Sequence, residues 1–276
     1  MTAPDTGPSL RSVHLAYDDA GSGPCVVLIH GHPFDRTLWH PQLTALAADF
    51  RVVAPDLRGF GESPGTGPLV TMRTYAADVE DLLTGLGVRR AAVVGLSMGG
   101  LVAMDMATTD PDRYWALGLV TTTAQPADDQ DRAARRARAD DVERHGMGVL
   151  VDYMHTGLYG PHCPDAVRER VDAMMLRASP TGAAAALRGR AERPDYRPLL
   201  ARLDLPAFVC TGSADPWSTS EVTAEIVEHL RRPELLTIDG VGHLPNLEAS
   251  DAFNRALRTF LQAASTGHEQ APGRTV

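Results

Sequence analysis

The sequence predicts an α/β fold: a mostly parallel central sheet with helices on both faces and a helical cap inserted between two core strands. Three observations carry this. Short apolar runs of strand length alternate with longer stretches of helical character, the pattern of a parallel sheet with crossover helices. A serine stands between glycines, Gly95-Leu96-Ser97-Met98-Gly99, where one such run meets a helix. The alternation then breaks from about Gln125 to Pro198, roughly seventy residues. A structureless loop of that length has no place in a compact domain.

The elements follow in order. Residues 1–9 and about 265–276 are rich in Gly, Pro, Ser and Thr and are expected to be flexible tails. Arg11–Tyr17 alternates, as an antiparallel edge strand does. Val26–Ile29 is a buried strand leading into His30-Gly31-His32-Pro33, with a helix expected over Thr37–Ala48. Arg51–Ala54 is the next strand, leading into Pro55-Asp56-Leu57-Arg58-Gly59-Phe60-Gly61-Glu62-Ser63, and Met72–Leu86 is helical. Ala91–Val94 enters the serine corner, Ser97–Thr109 leaves it as a helix, and Ala116–Val120 is a further core strand. Four helices are expected in the cap: Ala127–Arg144, Gly148–Tyr159, Asp165–Leu176 and Thr181–Arg190. Leu205–Thr211 and Glu234–Ile238 complete the strands, with helices over Ser220–Leu230 and Ala249–Ala263. The organisation is thus a core of residues 1–124 and 199–264, a cap of 125–198 and a tail of 265–276.

The serine corner carries chemistry. A strand that turns straight into a helix brings its backbone into contact on both sides of the turn. Side chains at positions 95 and 99 would clash, which leaves Ser97 strained with its hydroxyl projecting at a helix N-terminus. This is a nucleophile elbow, G-x-S-x-G in its strand–turn–helix setting. A serine hydroxyl is a weak nucleophile near neutral pH and needs a base and a group that orients the base. In this architecture they follow in the order acid, then histidine. Asp215 lies in Gly212-Ser213-Ala214-Asp215-Pro216, just past one core strand, and His243 in Gly240-Val241-Gly242-His243-Leu244-Pro245, past the next. Singly, an Asp in a Gly/Pro turn is most often a turn residue and a loop His is most often solvated. Their joint order, each after its own strand, makes Ser97, Asp215 and His243 the candidate triad. Asp56 and Asp239 also lie on loops after strands and are expected to be structural.

With these motifs in hand, nearly the whole chain resembles an α/β-hydrolase. The His-Gly-His-Pro loop, the Pro-Asp-Leu-Arg-Gly-Phe-Gly-Glu-Ser loop, the elbow, the Gly-x-x-Asp loop and the Gly-His-Leu-Pro loop carry the resemblance. Gly-Leu-Ser-Met-Gly-Gly followed by an Ala-rich helix and Asp110-Pro111-Asp112-Arg113 is most similar to one branch. It holds 3-oxoadipate enol-lactonases, small carboxylesterases and cofactor-free haloperoxidase/perhydrolases. The elbow places one oxyanion-hole amide on Met98, and the resemblance places the second on the amide of His32. The implied activity is hydrolysis of a small or medium carboxylic ester or lactone through an acyl-enzyme on Ser97. An aspartate nucleophile is absent, which disfavours dehalogenase and epoxide hydrolase chemistry. C–C bond hydrolysis, a lactonising or cyclising step, and a slow-turnover hydrolase-like binding protein stand as alternatives.

Composition narrows the partners. The 276 residues carry a net charge of −9, against binding a nucleic-acid backbone. All 26 basic residues are arginine, which excludes Schiff-base chemistry and a Walker-type phosphate lysine. Three cysteines, with Cys25 and Cys210 in core strands and Cys163 in a Pro-flanked loop, indicate no disulfide framework. Met1–Leu10 lacks an apolar signal core, and no run of about 18 apolar residues exists. The expectation is a cytoplasmic enzyme acting on a small molecule, without membrane or nucleic-acid partner, cofactor or metal, its oligomeric state open. His30 and His32 lack a matching third metal ligand, and His30 is expected to brace its loop from beneath. Asp105, in an Ala/Met-rich helix, is expected at an exposed helix edge.

The cap is expected to hold specificity. Met154, Met175 and Trp217 are the candidate substrate contacts; Met147, Tyr153, Tyr159 and Met174 are further candidates for the roof or for the cap's own core. In the run Arg132, Arg135, Arg136, Arg138, the pairs Asp128/Arg132, Asp131/Arg135 and Arg136/Asp140 are spaced i,i+4, which predicts a solvated, self-paired helix face rather than an anion site.

Overall fold

The computed structural model describes residues 13–65 and 67–269. Seven strands form one sheet: β1 (Tyr17–Ala20), β2 (Cys25–Ile29), β3 (Arg51–Pro55), β4 (Ala91–Leu96), β5 (Tyr114–Val120), β6 (Pro206–Gly212) and β7 (Arg232–Ile238). Their order is β1-β3-β2-β4-β5-β6-β7, parallel throughout except for β1. The helices are α1 (His40–Leu46), α2 (Met72–Gly85), α3 (Met98–Thr109), α4 (Asp129–His145), α5 (Gly148–Met154) and α6 (Asp165–Arg177). They continue with α7 (Pro180–Ala191), α8 (Arg197–Leu200), α9 (Ser220–His229), α10 (Pro245–Glu248) and α11 (Ser250–Glu269). This is the α/β architecture expected, with α4 to α8 lying between β5 and β6.

Successive residues of each central strand serve opposite faces of the sheet. Val26 and Leu28 join one apolar cluster with Leu46 of α1 and Phe253 of α11. Val27 and Ile29 join the other with Tyr75 of α2, Val102 of α3 and Ile226 of α9. Both faces are covered, so β2 and β4 are apolar at almost every position, and each buried Val, Leu or Ile contributes about 1.5–3 kcal/mol. The strand edges are polar. Asp19 of β1 pairs with Arg51 at 2.7 Å, and Arg232, Pro233 and Glu234 blunt β7.

Four boundaries differ from expectation. The edge strand is Tyr17–Ala20 rather than Arg11–Tyr17, of which Arg11 and Ser12 lie outside the described residues. Leu15 is buried as its alternation required, but the ladder to β3 forms in the polar stretch that follows. In place of one helix over Thr37–Ala48 there is a 3₁₀ turn at Arg36–Trp39 and then α1. α5 stops at Met154, five residues before the expected Tyr159. The chain then presses Gly157 against Pro216 and gives the Leu158 carbonyl to the His243 amide at 2.9 Å. The last helix continues to Glu269, through the first five residues of the expected tail; 270–276 lie outside the described residues.

Asp105 also departs from expectation. It is buried, not at an exposed edge, and is answered by Arg73 of α2 at 3.2 Å and the Tyr196 hydroxyl at 3.4 Å. The carboxylate therefore ties α3 to α2 and to the chain returning from the cap.

Candidate active site

The Ser97 corner has the strain its glycines imply. Its φ of 53° and ψ of −112° lie where a non-glycine residue is costly. A Cβ at position 95 would run into the Gly99 carbonyl, and one at 99 into the Ile29 carbonyl. Two bonds hold the corner: the Ser97 amide donates to Val120 O and the Thr122 hydroxyl to Ser97 O, both at 2.8 Å. The Met98 amide, first in α3, has no intrahelical acceptor.

His243 and Asp215 meet across the ends of β6 and β7. His243 Nδ1 lies 2.7 Å from Asp215 Oδ2, and both residues are buried. The Trp217 amide donates to Asp215 Oδ1 at 2.9 Å. Burial pushes the Asp215 carboxyl upward, but the facing imidazole and the Trp217 and Ser218 amides outweigh it and hold the group below the usual carboxylate range. The histidine loop is fixed from three sides. Thr121 Oγ1 donates to the His243 carbonyl at 2.9 Å, from a residue itself at φ 42°. The Glu248 carboxylate accepts the amides of Leu244, Gly242 and Gly160, and the Trp217 ring stands edge-on to the imidazole at 4.9 Å.

The loop after β2 is braced by its histidines. His30 donates from Nδ1 to Gly31 O at 2.8 Å and accepts the Leu57 amide on Nε2 at 2.9 Å, tying this loop to the one after β3. His32 donates from Nε2 to the Ala183 carbonyl of α7 at 3.0 Å. The His30 pattern requires the neutral imidazole, and burial disfavours the charge on both rings. In the unfolded chain each takes up a proton near pH 6.5. As pH falls below that value the unfolded state gains protons that the native state refuses, so stability falls. We expect the melting temperature to drop from pH 7 to pH 5, each histidine adding a slope of about 1.4 kcal/mol per pH unit. The His32→Gln variant, titrated by calorimetry, should have the shallower slope; an unaltered slope would mean that His32 protonates in the native protein.

Ser97, His243 and His32 line one cavity of about 450 Å³ beneath the cap, at the carboxyl ends of the parallel strands. A profile of the alpha/beta hydrolase family matches residues 26–256. The chain belongs to that family. This alpha/beta hydrolase is 28% identical to 3-oxoadipate enol-lactonase 1 of Acinetobacter baylyi, over 92% of this chain and 94% of the relative. Its fold is similar to a thermophilic esterase from Thermogutta terrifontis solved with malate bound, with TM-score 0.89, 37% identity and coverage of 91% and 94%. It is also similar to the enol-lactonase from Burkholderia xenovorans, with TM-score 0.82, 27% identity and coverage of 91% and 97%. Among the described residues of the hydrolase, no helix is long and apolar enough to cross a membrane.

Of the expected substrate contacts, Met154 and Trp217 line the cavity and Met175 does not. Met175 is fully buried with Val171 and Met174 in the apolar cluster that α6 shares with the core. Met147, Met174 and Tyr159 pack in or against the same cluster, Met174 Sδ also accepting the Asp35 amide at 3.5 Å, while Tyr153 reaches the cavity. The arginine run divides. Arg132 and Arg136 pair outward, with Asp129 and Glu192. Arg135 and Arg138 line the cavity instead, joined there by Arg190 and Arg193. Sequence reasoning missed Thr121, Glu248, Arg190 and Arg193. A weak signal existed for Arg190, which has no acidic residue three or four places away in either direction.

Proposed function

We propose that this hydrolase is a serine esterase or lactonase that cleaves a small or medium carboxylic ester through an acyl-enzyme on Ser97. The observation that carries this reading is a single cavity holding the elbow serine and an imidazole whose far nitrogen is bound by a buried carboxylate. Ser97 Oγ attacks the ester carbonyl while His243 Nε2 takes its proton. Negative charge gathers on the carbonyl oxygen, facing the amides of Met98 and His32, and α3 directs its positive end there. The C–O bond breaks and His243 returns the proton to the departing alcohol. Water then repeats the sequence against the acyl group and frees Ser97. Asp215 fixes the Nδ1–H tautomer, so that Nε2 is the nitrogen free to accept. The esterase and enol-lactonase neighbours support this class of substrate.

The direct test is turnover. p-Nitrophenyl butyrate should be hydrolysed through many cycles per molecule and be stopped by one equivalent of a fluorophosphonate. A single stoichiometric burst would instead favour a hydrolase-like binding protein, and inertness toward all esters and lactones would favour C–C cleavage or cyclisation.

The two methionines should separate by position. Met154→Ala enlarges the cavity, and apolar contact is worth about 0.8 kcal/mol per methylene. Chain-length preference among p-nitrophenyl esters from acetate to octanoate should shift by a few-fold to tenfold, with acetate nearly unaffected. Met175→Ala should leave the profile's shape intact and cost stability, about 2–5 kcal/mol for a buried methionine. A shifted profile in Met175→Ala would return that side chain to the pocket.

A further inference from the structure

The cap side of the cavity is cationic, and one of its cations is unanswered. Arg135 and Arg138 of α4, Arg190 of α7 and Arg193 line it, opposed by Asp128 and Asp131. Asp131 forms two ion pairs: one oxygen lies 2.8 Å from Arg135 Nε and the other 2.7 Å from Arg193 Nη1. Asp128 caps α4, accepting the Asp131 amide at 2.7 Å. Arg193 is saturated further by the carbonyls of Gln125, Arg190 and Pro126. Arg138 lies over the Tyr153 ring, 3.2 Å from its centroid, and that ring stacks on Trp217.

Arg190 differs. Among the described residues its guanidinium makes no ion pair and no hydrogen bond, and its Nε is sealed from solvent without an acceptor. The residue is half-buried and lines the cavity. Burial and the neighbouring Arg135 and Arg193 weigh against its charge, and Asp131, which pairs with those two arginines, offsets them only in part. Arginine does not give up its proton in proteins, so the charge stays. An uncompensated cation in such surroundings is costly unless a counter-ion reaches it. The hydrolase is acidic overall, and at this point of the cleft it concentrates positive charge.

We propose that Arg190, in a cavity lined also by Arg135 and Arg138, is an anion subsite of the cleft, and that the substrate carries a carboxylate remote from its scissile carbonyl. One unpaired planar guanidinium matches one planar carboxylate in a two-point contact. Leu187, one turn earlier on α7, lines the same wall and fits the apolar carbons between carboxylate and ester. The substrate class is then the half-ester of a dicarboxylic acid. This inference rests on Ser97 as the nucleophile.

The test compares monomethyl succinate, glutarate and adipate with the neutral methyl butyrate, valerate and hexanoate, following proton release. The charged-to-neutral ratio of kcat/KM should exceed one in the wild type and fall by about 10–100-fold in Arg190→Gln. Arg190→Lys should keep part of it. Arg138→Gln should lower the ratio by a few-fold, and the outward-facing Arg144→Gln should leave it unaltered. A second readout needs no turnover: glutarate titrated into Ser97→Ala should release heat that disappears in Ser97→Ala/Arg190→Gln and weakens with added salt. A ratio unmoved by Arg190→Gln, or no glutarate binding, overturns the subsite. Ester hydrolysis persisting in Ser97→Ala would overturn the serine reading instead, whatever the ratio shows.

Discussion

Ser97→Ala is expected to abolish hydrolysis, lowering kcat by about 10⁵–10⁶-fold, as loss of a triad nucleophile does elsewhere. Labelling by a fluorophosphonate should vanish with it. The substitution is a clean one here. Alanine keeps the Cβ that makes φ 53° costly, so the corner is neither relaxed nor further strained. Ser97→Gly, equally inactive, should relax it and raise stability by about 1 kcal/mol, since glycine adopts positive φ freely. Calorimetry on both variants separates chemistry from strain. Residual activity within a hundredfold of wild type, or labelling that survives in Ser97→Ala, would move the nucleophile elsewhere.

Asp215→Asn should lower kcat by about 10²–10⁴-fold while the protein stays folded. The reason lies in the second oxygen. Asp215 Oδ1 accepts the Trp217 amide, and Oδ2 faces His243 Nδ1. In asparagine the carbonyl must remain with Trp217, which turns the NH₂ group toward the imidazole. His243 then accepts on Nδ1 and carries its proton on Nε2, the wrong tautomer to receive one from Ser97. Asp239→Asn is the control. That carboxylate is exposed and accepts from Ser213 at 2.9 Å, and its loss should change kcat by less than about threefold. Asp56, buried and held by Arg36 and the Glu62 amide, should cost stability rather than rate when changed. An Asp239→Asn defect equal to that of Asp215→Asn would reassign the acid.

What was legible in the sequence was what local backbone geometry dictates. Gly95 and Gly99 have no substitute where two chain segments touch, and strand, loop, helix succession places Ser97, Asp215 and His243 at one edge of the sheet. What was not legible depended on docking. The acidic neighbours of the α4 arginines agree with a solvated face, and Arg132 and Arg136 behave accordingly; but α7 packs along α4, and Arg135 and Arg138 fall on the enclosed side. Asp105 is satisfied by Arg73 and Tyr196, 32 and 91 residues away, separations over which no pattern extends. Met175 and Met154 have the same composition signal, and only the turn of α6 against its neighbours distinguishes them.

The contact between His32 and α7 bears on how such an enzyme diversifies. The cap is commonly thought of as an exchangeable module, trimmed or swapped while the chemistry beneath is kept. Here the Ala183 carbonyl holds the imidazole of His32, and Gly182 lies so close to Gly59 that a Cβ on it would strike the Gly59 carbonyl. α7 is thus a structural part of the catalytic floor, although it belongs to the insertion by sequence. Chimeras that replace residues 127–156, and leave in place α7 and the Gly157–Gly160 stretch that holds the His243 loop, should retain turnover and alter selectivity. Those that also replace 179–191 should lose turnover until positions 32 and 59 are changed to suit the new helix.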